Sequence, residues 1–171
     1  LILGAKVYGI GYQPNQNKKL FYDLNLVKKI NFSLVDVRNY KKLSKKIKSI
    51  KPSIIFHLAA QPLIYESYKK PYLTFDINFR GTLNILEAAK KYNFIKSVIC
   101  VTSDKCYENT GKIKGYKETD MLGGVDPYSA SKASAELLIR SYIESFFRRS
   151  NCGLSSVRAG NVIGGGDWSN N

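Results

Sequence analysis

Ser97-Val98-Ile99-Cys100-Val101-Thr102-Ser103-Asp104-Lys105 is an apolar run that stops abruptly in small polar and charged residues. Such a run, rich in β-branched side chains, suits a buried parallel strand, and the sudden change marks the strand's carboxyl end. In a doubly wound sheet that end faces the ligand. The same rhythm recurs on either side. Residues 6–10, 32–35, 54–58 (after Pro52) and 154–158 read as further short strands. Helical stretches alternate with them. Residues 39–50 place Tyr40, Leu43, Ile47 and Ile50 on one face. Residues 71–92 offer Ile77, Leu83, Ile85, Leu86, Ala88 and Ala89 for burial, and residues 127–149 form the last helix. This alternation predicts an α/β fold, a doubly wound parallel sheet of the Rossmann type.

Both ends carry signals of their own. Leu1-Ile2-Leu3-Gly4-Ala5 reads as the tail of a helix with a Gly stop, and residues 15–19 as a polar turn. A dinucleotide-binding sheet opens with a strand and a Gly-rich turn at a helix N-terminus, and no such signature precedes the strand at Lys6. In the 3-2-1-4-5-6 strand order that first strand is central. Gly164-Gly165-Gly166-Asp167-Trp168 then runs into the C-terminus. The expectation is a partial dinucleotide-binding domain over 1–171, a fragment lacking the first strand and Gly-rich turn. The substrate domain would lie mostly beyond the C-terminus, and the fragment alone would be inactive and poorly folded.

The 171 residues include 27 Lys and Arg against 13 Asp and Glu, a net charge of +14. The excess is dispersed along helices, as in Lys41-Lys42, Lys45-Lys46 and Lys90-Lys91. That pattern favours a solvated surface over a nucleic-acid face, and its field would draw in anionic ligands. No apolar run reaches membrane-spanning length, and the start lacks the features of a signal peptide. Cys100, Cys106 and Cys152 lack metal-ligand spacing and read as reduced thiols of a cytoplasmic protein. His57, the only histidine, reads as a packed core residue.

The chemistry concentrates in Asp126-Pro127-Tyr128-Ser129-Ala130-Ser131-Lys132. Asp126 is a good N-cap and Pro127 suits the first helical position, so Tyr128 falls in the first turn. Lys132 lies one turn further on the same face. A free phenol titrates near 10, too high for a base at neutral pH. The helix's positive end and the Lys ammonium are both expected to favour phenolate. Ser103, at the end of the strand that opened this section, can hydrogen-bond the hydroxyl that the Tyr deprotonates.

With Ser103, Tyr128 and Lys132 in this order, the chain resembles the extended short-chain dehydrogenase/reductase family over nearly its whole length. It is most similar to the nucleotide-sugar 4,6-dehydratases, and within them to the CDP-glucose branch. The strings that carry the resemblance are Val101–Tyr107, Leu122–Tyr128 and Arg158–Trp168. The resemblance implies bound NAD and a CDP-sugar substrate. It also implies an internal redox cycle in which Tyr128 deprotonates the sugar's 4-hydroxyl while hydride leaves carbon four. Many relatives place an Asp-Glu pair after the strand-end hydroxyl, for the acid and base of water elimination. Here the pair is Asp104-Lys105, as in the CDP-glucose branch. A Lys serves as that base only where nearby cations or desolvation lower its proton affinity.

Cofactor positions follow from the same resemblance. Asp36 and Val37 match the adenine contact, and Leu58, Ala59 and Ala60 the turn that meets the dinucleotide backbone. Thr102, Tyr128 and Lys132 match the nicotinamide-ribose contacts, and Asn78 a helix Asn near the active centre. Ser103 and Asn161 match substrate contacts, Asn161 beside the diphosphate. Blander readings stand beside these: a helix cap for Asp36, a satisfied buried amide for Asn78, and a surface pair for Asp104-Lys105. The long helices from Pro71 and Pro127 carry surplus apolar surface, including Phe75, Phe79, Tyr142, Phe146 and Phe147, and are expected to pair two subunits into a homodimer. Two other functions remain open. A nucleotide-sugar 4-epimerase shares the Tyr-Lys pair but needs no elimination acid and base. A non-catalytic dinucleotide-binding remnant needs neither.

Overall fold

Alternation of short apolar runs and amphipathic stretches resolves into two parallel sheets with helices between their strands. The computed structural model describes residues 2–12 and 20–164. β1 (Tyr8–Gly11) pairs with β2 (Asn31–Leu34), with Tyr8 opposite Asn31 and Gly11 opposite Leu34. β3 (Ile54–His57), β4 (Ser97–Val101) and β5 (Gly153–Val157) form a second sheet with β4 in the middle. β1 and β3 do not pair with each other. The sheets agree with the expected α/β class and parallel strands.

Local chemistry sets the helix starts. α1 (Leu20–Asp23) and α2 (Leu26–Lys29) lead into β2. α3 (Tyr40–Ile50) begins at Asn39, whose side chain accepts a hydrogen bond from the Lys42 amide. α4 (Ile64–Lys69) precedes α5 (Pro71–Phe75), which has Pro71 at its first position. A π turn over Asp76–Arg80 joins α5 to α6 (Gly81–Lys91). α7 (Pro127–Tyr142) starts as expected. Asp126 accepts from the Ser129 amide at 2.9 Å and from the Ser129 hydroxyl at 2.6 Å. A second π turn, Ile143–Phe147, extends α7.

The register aligns Ile55, Val98 and Leu154 in one row and His57, Cys100 and Ser156 in the next. Val98 and Cys100 join Leu43 and Ile47 of α3, Ile85, Leu86, Ala88 and Ala89 of α6, and Ile139 of α7 in one buried cluster. Each such Leu or Ile contributes about 1.5–3 kcal/mol by leaving water. Alternation along β3 turns Ile54 and Phe56 to the opposite face, where they stay 52% and 63% exposed. The described residues therefore cover one face of this sheet.

Several expectations need correction. Residues 71–92 and 127–149 do not form uninterrupted α-helices, because each contains a π turn. The sequence pattern leaves α1, α2 and α4 unassigned; at α2 and α4 no side chain makes a capping hydrogen bond that would signal the start. Phe147 belongs to the protein's own core, and half-buried Tyr142 donates to Glu87 at 2.5 Å. Of the five aromatic residues expected to be surplus, Phe75 and Phe146 alone are exposed, so that surface is smaller than expected. Ile2 and Leu3 form a turn followed by Gly4 at φ 75°, a conformation that favours glycine, and no helix is described before it. Leu1, the turn at 15–19 and residues 165–168 lie outside the described residues.

Candidate active site

β4 ends at Val101, and the chain then turns over its own strand end. Thr102 and Ser103 are buried, and a 3₁₀ turn spans Asp104–Cys106. Ser103 Oγ accepts from the Lys105 amide and donates to Asp104 Oδ1, both at 3.2 Å. The Asp104 amide donates to the Ala159 carbonyl at 2.9 Å, fastening the turn to the exit of β5. Asp104 is half-buried and Lys105 exposed.

The N-terminal turns of α7 bring Tyr128 and Lys132 to this strand end, both buried. Lys132 Nζ lies 6.0 Å from the Tyr128 ring centroid and donates to the Val101 carbonyl at 3.4 Å. Burial pushes the Lys132 ammonium below its ordinary value, with Cys100, Cys106 and Glu136 opposing that shift. Tyr128 departs from the sequence-based expectation. Burial raises its phenol above the ordinary value, the Ser103 hydroxyl opposes this, and the Asp104 and Asp126 carboxylates add to it. Loss of water around the ring outweighs the help expected from the helix end. Ser103, Tyr128 and Lys132 thus supply a hydroxyl, a phenol and an ammonium at one strand end, a set able to exchange a proton with an alcohol or carbonyl oxygen.

Asn78 supports this arrangement from behind. The π turn holds it buried, with Oδ1 accepting from the Gln61 amide at 2.8 Å. Its Nδ2 donates to the Gln61 carbonyl at 3.1 Å and to Ser131 Oγ at 2.9 Å. Ser131 donates in turn to the Tyr128 carbonyl at 2.7 Å. The amide is fully satisfied and acts on α7 through Ser131. His57 sits alongside as a packed residue. Thr82 donates to the Asn78 carbonyl at 2.6 Å, so the 3.0 Å contact to His57 is a donation from His57 Nε2.

The remaining expected positions are more dispersed. Thr102 gives its hydroxyl proton to Glu136 Oε1 at 2.5 Å. Asp36 is bridged by Arg38, at 3.0 Å from Nε and 2.5 Å from Nη2, and this bond holds its carboxyl below the usual range. Val37 packs against Gly81, and its carbonyl accepts from Asn84 at 2.8 Å. Leu58 and Ala59 are exposed and Ala60 half-buried in the turn after β3. Asn161 is exposed beyond β5 and makes no side-chain hydrogen bond to the cluster. Sequence reasoning gave no role to Gln61, Ser131, Glu136 or Arg158. Glu136, one turn beyond Lys132 on the same face, was the legible clue. No helix among the described residues is long and apolar enough to cross a membrane.

Comparison with known proteins gives the family and the fold. The family model described as GDP-mannose 4,6 dehydratase matches residues 3–159. A CDP-glucose 4,6-dehydratase of Salmonella typhimurium is 44% identical over 171 residues, covering 97% of this chain and 48% of the relative. Among solved structures, a UDP-glucose 4-epimerase of Thermotoga maritima with UDP-glucose superposes with a TM-score of 0.77 at 22% identity, over 92% of this chain and 48% of that one. A dTDP-glucose 4,6-dehydratase of Streptomyces venezuelae with NAD bound gives 0.74 at 20% identity, over 90% and 45%. These two likenesses show the Rossmann-like fold. The chain spans about half the length of the relatives it matches.

Proposed function

The chain belongs to the GDP-mannose 4,6 dehydratase family, and we propose on that premise that the protein converts CDP-glucose to CDP-4-keto-6-deoxyglucose. The observation that carries the reading is Ser103-Asp104-Lys105 closing β4 beside the buried pair Tyr128 and Lys132. The similarity to a CDP-glucose 4,6-dehydratase supports the choice of substrate. Residues 1–171 would supply dinucleotide-binding elements of a cytoplasmic enzyme, with a sugar-binding portion following them.

The donor set fits NAD. Lys132 Nζ has three protons, and among the described residues it makes one hydrogen bond, to the Val101 carbonyl. Its other protons suit the hydroxyls of a nicotinamide ribose. Tyr128 and the oxygen of Thr102 would join it there. The exposed turn Leu58-Ala59-Ala60 lets a dinucleotide approach the backbone, while Asp36 and Val37 would meet adenine, with Asn78 holding α7 in place. When bound, NAD supplies the acceptor for hydride from carbon four of the sugar and its donor to carbon six.

The chain's own residues handle the protons. Tyr128 would remove the proton of the 4-hydroxyl, with Ser103 hydrogen-bonding the same oxygen, and with the Lys132 ammonium and the positive charge that oxidised NAD would bring offsetting the burial that raises its phenol. The new ketone acidifies carbon five. Lys105, exposed in this chain, would take the carbon-five proton once bound substrate strips water from it, and Asp104 would give one to the departing 6-hydroxyl. Asn161 would contact the diphosphate. The exposed apolar residues Phe75, Leu137 and Phe146 on α5, α7 and its extension support pairing of two subunits through these helices.

Incubation with CDP-, dTDP-, GDP- and UDP-hexoses, followed by mass spectrometry, tests the reading. Loss of one water from CDP-glucose is expected. Turnover of another nucleotide sugar with CDP-glucose inert overturns the substrate, and inversion without water loss points to an epimerase.

A further inference from the structure

A buried carboxylate that the proposed chemistry does not use lies one turn beyond Lys132. Glu136 is only 4% exposed, yet both its oxygens are engaged. Oε1 accepts from Thr102 at 2.5 Å, at the end of β4. Oε2 accepts from Ser156 of β5 at 3.0 Å and from Arg158 Nη2 at 2.8 Å. One side chain of α7 thus ties together the carboxyl ends of two strands. A buried charge held this way is costly to strand if a partner is removed.

Arg158 carries the connection outward. Its guanidinium lies 4.8 Å over the Tyr107 ring, and Nη1 donates to the Glu118 carbonyl at 3.2 Å. Both contacts are in the segment between the 3₁₀ turn and α7. That segment closes on itself through the antiparallel bridge Tyr107 to Leu122, the 2.9 Å bond from the Glu108 amide to the Met121 carbonyl, and stacking of Tyr107 on Tyr116 at 5.0 Å. Asp104 and Lys105 stand at its base. A continuous set of contacts therefore runs from the Tyr128–Lys132 helix, through Glu136 and Arg158, to the loop that bears Asp104 and Lys105.

We infer that Glu136 and Arg158 are positioning residues that fix the Asp104–Lys105 turn relative to Tyr128 and Lys132, and so hold the elimination groups in register with the oxidation groups. This rests on the proposed dehydratase reading. A planar guanidinium is needed because one group must pair with a carboxylate, reach a carbonyl and stack on a ring together; an ammonium has neither the fork nor the plane.

Arg158→Lys keeps the charge beside Glu136 and removes the stacking and the loop bond. Glu136→Gln keeps the side chain's volume and removes the ion pair. Hydrogen exchange read by mass spectrometry should show residues 107–122 exchanging about fivefold faster or more in both variants, with residues 128–139 little changed. In single turnovers with CDP-glucose, appearance of reduced cofactor should change less than about threefold, while water elimination slows on the order of tenfold to hundredfold. Equal losses in both steps, or unchanged exchange at 107–122 in either folded variant, overturn the inference. The exchange result needs no substrate, so it stands even if CDP-glucose proves inert and the dehydratase reading fails.

Discussion

Gly124 lies against the first turn of α7, and replacing it with Ala should damage the site more than its small size suggests. A methyl group there would sit 2.6 Å from the Ser129 carbonyl carbon and 2.8 Å from Ala130 Cα. Its nearest neighbour is the Ala130 amide nitrogen, and ordinary contact begins at 3.4 Å, so the loop and the helix must part by about 1 Å. The obstacle is backbone, which cannot swing aside. Overpacking of this kind costs about 1–3 kcal/mol, offset by about 0.4–1 kcal/mol from a stiffer unfolded chain. A net loss of about 1–2 kcal/mol should appear in urea denaturation. The larger effect falls on Tyr128, because a shift approaching 1 Å at a reacting group lowers turnover roughly hundredfold. Gly123→Ala is the control. Its methyl meets the Glu108 side chain, whose far end can rotate away, and the Glu108 Cα at 3.0 Å, a milder backbone overlap than at Gly124, so turnover should stay within roughly tenfold of the parent. Parent-like stability and turnover in Gly124→Ala would refute this reasoning.

Three further outcomes are expected. Burial, and secondarily the charge on Lys132, push the His57 imidazole down to about 4, whereas in the unfolded chain it titrates near 6.5. The native state therefore refuses a proton that the unfolded chain accepts, so stability is full above about pH 6.5 and falls by roughly 3 kcal/mol as pH drops toward 4. Denaturation at pH 5 and 7 should show this slope, His57→Gln should reduce it, and an unchanged slope would count against it. Tyr128→Phe should block the first oxidation, and Lys105→Ala mainly the elimination. Single-turnover absorbance of reduced cofactor separates the two steps, and failure of both variants at hydride transfer would contradict the division of roles. Sedimentation should give a dimer at micromolar concentration, with a monomer excluding the proposed pairing of helices.

Much of the frame was legible because it rests on local chemistry. The Asp126 cap with Pro127 placed the start of α7, the apolar face of Tyr40, Leu43, Ile47 and Ile50 placed α3, and the break after Val101 located the end of β4. The π turns were not legible, since one wider turn leaves the composition of a helix unchanged. Missing caps hid α4 for a similar reason. In the site, spacing brought Tyr128 and Lys132 together, but not the direction of the tyrosine's shift. That depends on how much water the fold removes from the ring, which is a tertiary property. Arg158 was visible in its string, yet its ties to Glu136, Glu118 and Tyr107 join three separate segments that only folding brings together.

Transfer of hydrogen within the sugar gives the most direct measurement. CDP-glucose carrying deuterium at carbon four, incubated with the protein in ordinary water and examined by NMR, should yield CDP-4-keto-6-deoxyglucose with that deuterium at carbon six and a solvent proton at carbon five. A product that keeps its 6-hydroxyl, or that has lost the label to solvent, would contradict internal oxidation, elimination and return of hydride.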